Sequence, residues 1–134
     1  MKIYQSPRLT LPFKVDTKKE KLEDFKTAIS ATVRSLSNSR KVEISFGKQN
    51  LNNDHNSIIL PDLEKSDNKL NYGEIRAKAD SKSLRFRFSN KKTFKKYEPE
   101  GNISKKLYDI SEKIRCEKIG ANYFKGVKNN IENF

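Results

Sequence analysis

"LRFRFSNKKTFKKYEPEG" runs from Leu84 to Gly101, and the conformation of its first five residues decides what kind of domain the chain forms. Leu84, Phe86 and Phe88 alternate with Arg85 and Arg87, a period of two that describes a strand with one apolar and one cationic face. Extended upstream, the same residues also fit a helix. Tyr72, Ile75, Ala79 and Phe86 then share one stripe, while Leu84 and Phe88 form a separate i,i+4 pair, as in a helix buried on two sides. Periodicity alone leaves both readings open. In the strand reading, Arg85, Arg87, Lys91, Lys92, Lys95 and Lys96 could meet nucleic-acid phosphates, with Phe86 or Phe88 stacking on bases. In the helix reading the rings are core and the cations are their solvated flanks.

The segments on either side are plainer. Thr17 and Glu20 have the spacing of a capping box, and Leu22, Phe25, Ile29, Val33 and Leu36 recur at helical intervals, which predicts a helix to about Leu36. "SNSR" breaks it. "KVEISF" follows, with Val42, Ile44 and Phe46 on one face and Lys41, Glu43 and Ser45 on the other, a half-buried strand. A polar loop opens at Gly47, and "SIILP" supplies a second short apolar run, so the two runs predict an antiparallel hairpin with a long tip. Beyond the "EPEG" turn, Asn102 suits an N-cap; Ile103, Leu107, Ile110 and Ile114 mark a helix, and Ile119, Tyr123, Val127 and Ile131 keep the chain helical towards its end. Pro7 and Pro12 make residues 1–15 an extended arm. No internal repeat, low-complexity tract or second domain is visible. The expected architecture is α+β: a helix-rich single domain over 16–134, with a short antiparallel β-hairpin packed on long helices.

The 134 residues suffice for one continuous core, and eight Phe and five Tyr are too many for a disordered chain despite 34% charged residues. A formal charge of +12 favours anionic partners. Most of the positive charge is Lys in a sequence also rich in Asn and Ile, a joint bias that an AT-rich genome imposes without selection for binding. The first fifteen residues contain no signal-like apolar run, no window approaches a membrane span, and the single Cys116 cannot form an internal disulfide; a cytoplasmic protein without membrane partners is expected. Catalytic groups are scarce. With one His, one Cys and no glycine-rich phosphate loop, metal sites built from His and Cys are excluded and no catalytic, cofactor-binding or metal residue is assigned. His55 in "NNDHN" reads as an exposed loop residue, Cys116 as a small core residue, and Glu98 and Glu100 as solvated turn charges. No activity is expected from this chain alone.

Several segments resemble the N-terminal region of the CobT-type subunit of aerobic cobaltochelatase, the multi-subunit enzyme that inserts cobalt into the corrin ring. "RAKADS" at 76–81 resembles the family's R-G-x-A-D-S, with Arg76, Ala79, Asp80 and Ser81 matching and Ala77 in place of glycine; "SLR" at 83–85 resembles its A-L-R. "EKIRCEKIGANYFKGVKNNI" is similar to E-x-x-R-x-E-x-I-G-A-x-x-x-x-G-V-x-x-N, matching at Glu112, Arg115, Glu117, Ile119, Gly120, Ala121, Gly126, Val127 and Asn130. Weaker likenesses in "FKTAISATVRSL", "KVEISFG" and "IILPDL" extend the coverage to roughly residues 20–134.

The resemblance implies a helix over 70–89, with Arg76 and Asp80 at i,i+4 and Glu112 and Arg115 at i,i+3 as structural ties. It further implies a non-catalytic assembly module in cobalamin (vitamin B12) biosynthesis. Its partners would be an AAA+ ATPase subunit and the large subunit that holds the corrin. ATP, magnesium and cobalt would be handled by partner subunits or by the family's C-terminal von Willebrand A-type domain, which these residues do not include. "SNKKTF" at 89–94 departs from the family, which tends to carry histidines there. The alternative is a small basic nucleic-acid-binding protein.

Overall fold

Thr17 begins the first helix by the predicted reciprocal cap. Its hydroxyl accepts from the Glu20 amide at 3.2 Å, and the Glu20 carboxylate accepts from the Thr17 amide at 2.7 Å. The resulting helix α1 spans Lys18–Leu36 and ends where Ser37 caps it and Asn38 turns left-handed at φ 54°. The computed structural model describes residues 17–47, 56–64 and 71–134. The expected arm over 1–15 and His55 lie outside the described residues. After α1 come β1 (Glu43–Phe46), β2 (Ser57–Leu60), α2 (Tyr72–Phe88), α3 (Lys91–Lys96), α4 (Asn102–Tyr123) and α5 (Lys125–Asn133).

The decisive stretch is helical. Residues 84–88 form the last turn and a half of α2, which Asn71 caps by accepting from the Glu74 amide at 3.2 Å. α2 is the central element and packs against α1, α4, α5 and β2. It can touch so many neighbours because its middle is built from small residues: Ala77, Ala79, Ser81 and Ser83 are all buried. Leu84 is fully buried, Phe86 and Phe88 are half-buried, and Arg87 is exposed.

The core has three parts around α2. Ile29 and Val33 of α1 meet Val42, Ile58 and Leu60 of the strand layer over Ala79. Leu22, Leu63 and Ile75 close one end, and Leu36, Leu84 and Val127 the other.

The two strands pair, but in parallel, not as the antiparallel hairpin expected from the sequence: Glu43 lies opposite Ser57 and Phe46 opposite Leu60. The physical reason is length. Returning to the start of a four-residue strand requires roughly 13 Å, and the segment 47–56 can reach up to ~35 Å. A second correction concerns β1. Ser45, assigned to the outer face, is buried, although its register partner Ile59 on the same face is 42% exposed. Its hydroxyl has no hydrogen-bond partner among the described residues.

The C-terminal helical region also differs in detail. Gly101, at φ +90°, occupies the N-cap position of α4 expected for Asn102, which is instead the first helical residue. Phe124 leaves helical geometry at φ −125° and ψ 96°, so the region is two helices, α5 folding back onto α2.

Candidate functional site

The motif residues of α2, α4 and α5 meet along one seam. Gly120 of α4 lies against Leu84 so closely that a Cβ at this position would fall inside the leucine side chain. Val127 of α5 completes the same apolar contact. On the polar side, the Ser81 hydroxyl donates to the Glu117 carboxylate, which also faces Lys113 at 3.7 Å. One residue earlier, Asp80 is 3% exposed and accepts from the Asn130 amide at 2.7 Å. Burial pushes the Asp80 carboxyl above its ordinary value, against the opposing pull of the Asn130 donor and the field of Arg76.

Arg76 does not form the expected contact pair with Asp80. Its guanidinium lies over the Phe25 ring at 5.7 Å, tying α2 to α1. The Glu112–Arg115 pair does form, with two contacts of 2.8 Å. Arg115 also donates to the Phe88 carbonyl at 2.9 Å, satisfying a carbonyl that the end of α2 would otherwise leave unpaired. The Arg115 hydrogen bonds hold the Glu112 carboxyl down at about 2, well below the usual carboxylate range, and Glu112 in turn raises Arg115.

The six cations named for the nucleic-acid alternative do not share one surface. Arg85, Lys91 and Lys95 line an open cleft of about 610 Å³ between β2, α2 and α3, together with Lys82, Phe86 and Phe94. Arg85 is engaged there: it meets Asp109 at 2.7 Å and lies 4.9 Å from the Phe94 ring centre. Lys91 sits 5.4 Å from the Phe86 ring. Arg87 lies elsewhere, donating to the Leu36 carbonyl at 3.4 Å and covering the Phe88 and Phe124 rings. Lys92 and Lys96 are exposed on α3 and do not line the cleft. Phe88 stacks on Tyr123 at 6.3 Å between ring centres.

Lys82 went unnoticed in the sequence, although it projects into this cleft and donates to the Ile59 carbonyl. Burial and neighbouring Lys78 lower its pKa. Its only sequence signal is its place one turn before Phe86 on α2. Among the described residues, no group of three or more His, Cys, Asp or Glu side chains is placed to hold a metal ion, and no helix is long and apolar enough to cross a membrane.

The fold is a helix-rich α+β domain whose motif residues are gathered between α2, α4 and α5. Residues 19–134 match the family described as cobalamin biosynthesis protein CobT, and the chain belongs to that family. Its membership supports a role in cobalamin biosynthesis. No solved structure matches the chain.

Proposed function

We propose that this domain is a non-catalytic assembly module of a cobaltochelatase-like complex, working in the cytoplasm beside an AAA+ ATPase subunit and a large corrin-holding subunit. The observation that carries the reading is the family match across residues 19–134. The geometry is in keeping with it: Asp80, Ser81, Glu112, Arg115, Glu117 and Gly120 are engaged in contacts within and between helices, Ser81 and Glu117 bonding to each other at the wall of a cleft of about 520 Å³. In this reading these residues hold the scaffold, ATP and magnesium act on the ATPase, and cobalt is a substrate delivered to the corrin on the large subunit.

The test is reconstitution with the cognate subunits. ATP-driven cobalt insertion should require this chain, and affinity capture should retain the ATPase and large subunits. A purified chain that hydrolyses ATP alone, with the activity abolished by a substitution within it, would overturn the non-catalytic reading.

One observation favours a second reading: the cleft carrying Lys82, Arg85, Lys91 and Lys95 beside two phenylalanines suits an anionic, aromatic ligand such as a nucleic acid. Against it, Arg85 is neutralised by Asp109.

A further inference from the structure

α4 is apolar on two faces, and among the described residues only one of them is packed against another element. Cys116 and Gly120 face the α2 seam. Ile103, Leu107, Ile110 and Ile114, spaced by four, three and four residues, form a separate stripe more than a hundred degrees around the helix. These four side chains are between 50% and 76% exposed. Single exposed leucines need no explanation, but a straight row over three turns in a chain with 34% apolar residues does. Such a row is the seam that a second amphipathic helix recognises.

The charges beside the row select the occupant. At about 100° per residue, Lys106 and Lys113 run along one side and Lys118 lies on the other. The acidic residue nearest the row, Glu117, is engaged by Ser81 and Lys113. A second copy of α4 would set lysines against lysines in a chain of formal charge +12. Residues 1–15 are equally unsuited, carrying Lys2, Arg8 and Lys14 and no acidic residue.

We propose that the outer face of α4 docks an acidic amphipathic helix of a partner protein, with Ile103, Leu107, Ile110 and Ile114 as anchors and Lys106, Lys113 and Lys118 as the charged rim. This deepens the assembly reading and rests on it for the identity of the complex, though the docking chemistry can be measured separately.

The probe is a fluorescein-labelled helical peptide of about three heptads, with leucine at a and d and glutamate at e and g. One control carries lysine at e and g; another keeps the glutamates and scrambles the leucines. Anisotropy titrations should show binding of the first peptide alone, weakened by about tenfold or more in Leu107→Ser/Ile110→Ser. Both positions are already exposed, so circular dichroism should be unchanged. Lys106→Glu/Lys118→Glu should switch preference to the lysine-flanked peptide. Equal binding of the scrambled peptide, no binding of any peptide, or a wild-type dimer that Leu107→Ser/Ile110→Ser converts to monomer would each overturn the proposal.

Capture of the ATPase and large subunits separates the two readings. Equal capture by wild type and Leu107→Ser/Ile110→Ser keeps the assembly role and removes the α4 face. Capture by neither, with peptide binding intact, removes the assembly role and keeps the face.

Discussion

The Asn130 amide donates to the Asp80 carboxylate at 2.7 Å, fastening the last helix to the central one across most of the domain's later half. Asn130→Ala would leave a buried carboxylate without this donor, an expected loss of about 1–3 kcal/mol in urea unfolding at neutral pH. Burial raises the folded pKa of Asp80, so its ionisation costs stability above that pKa and the cost disappears as pH falls through it. The deficit of Asn130→Ala should therefore shrink on acidification. A deficit constant down to pH ~3, below the ordinary Asp value, would show that the carboxylate is not its source.

Glu112 has the opposite sign. Its folded pKa is depressed to about 2 by the Arg115 hydrogen bonds, against ~4.3 for an unperturbed glutamate. The stability it contributes is present in full above the unfolded value and is lost as pH falls through the folded one. Glu112→Gln should be less stable than wild type at neutral pH, with the two converging between pH ~4.5 and ~2. Parallel curves across that window would contradict this assignment.

Two glycines of the family motif should respond differently to a methyl group. Gly120→Ala drives a Cβ into Leu84, with an expected cost of about 1–3 kcal/mol unless the helices separate. Gly126 has nothing within 4 Å of its Cβ position, so Gly126→Ala should be neutral or gain up to ~1 kcal/mol from helix propensity. Thermal unfolding of the two variants side by side is the check.

Ser45 offers a stabilising substitution. Its buried hydroxyl lacks a partner among the described residues. Ser45→Ala should raise stability by about 1 kcal/mol, since an unpaired buried polar group carries a desolvation cost. Destabilisation in chemical denaturation would mean that the hydroxyl is bonded in solution.

Oligonucleotide binding should be weak and independent of Phe86 and Phe88, because Lys91 covers one ring and Tyr123 the other. A site using all six cations would show a salt slope of roughly −4 for single strands, at about −0.7 per contact. Titrations of labelled DNA and RNA at several salt concentrations distinguish the cases. Tight binding at physiological salt that Phe88→Ala removes without unfolding would reverse the ranking of the two functions.

What could be read from the sequence depended on how many sides of an element are covered. α1 has one buried stripe and a local cap, so both its position and its start were legible from Thr17 and Glu20. α2 is enclosed by four neighbours, which removes the one-sided pattern and leaves the alternation of residues 84–88 looking like a strand. The direction of β2 was not legible, because alternation sets which side chains share a face and is indifferent to strand polarity. In α4, spacing placed Ile103, Leu107, Ile110 and Ile114 together but could not say that they are exposed. The Glu112–Arg115 pair follows from i,i+3 spacing, whereas Ser81–Glu117 and Asp80–Asn130 depend on how the helices dock.

The hydrogen bond from Lys82 to the Ile59 carbonyl has a consequence for solubility. The carbonyls of Asn56 and Leu60 point towards β1, so that of Ile59 points the other way, along the free margin of a two-stranded sheet. An unguarded margin is a template onto which another chain can add a strand and begin aggregation. Lys82 occupies that acceptor and places a positive charge beside the half-exposed Ile59, so an incoming backbone must displace the one and sit beside the other. The lysine thus protects the domain from templating strand addition at this edge.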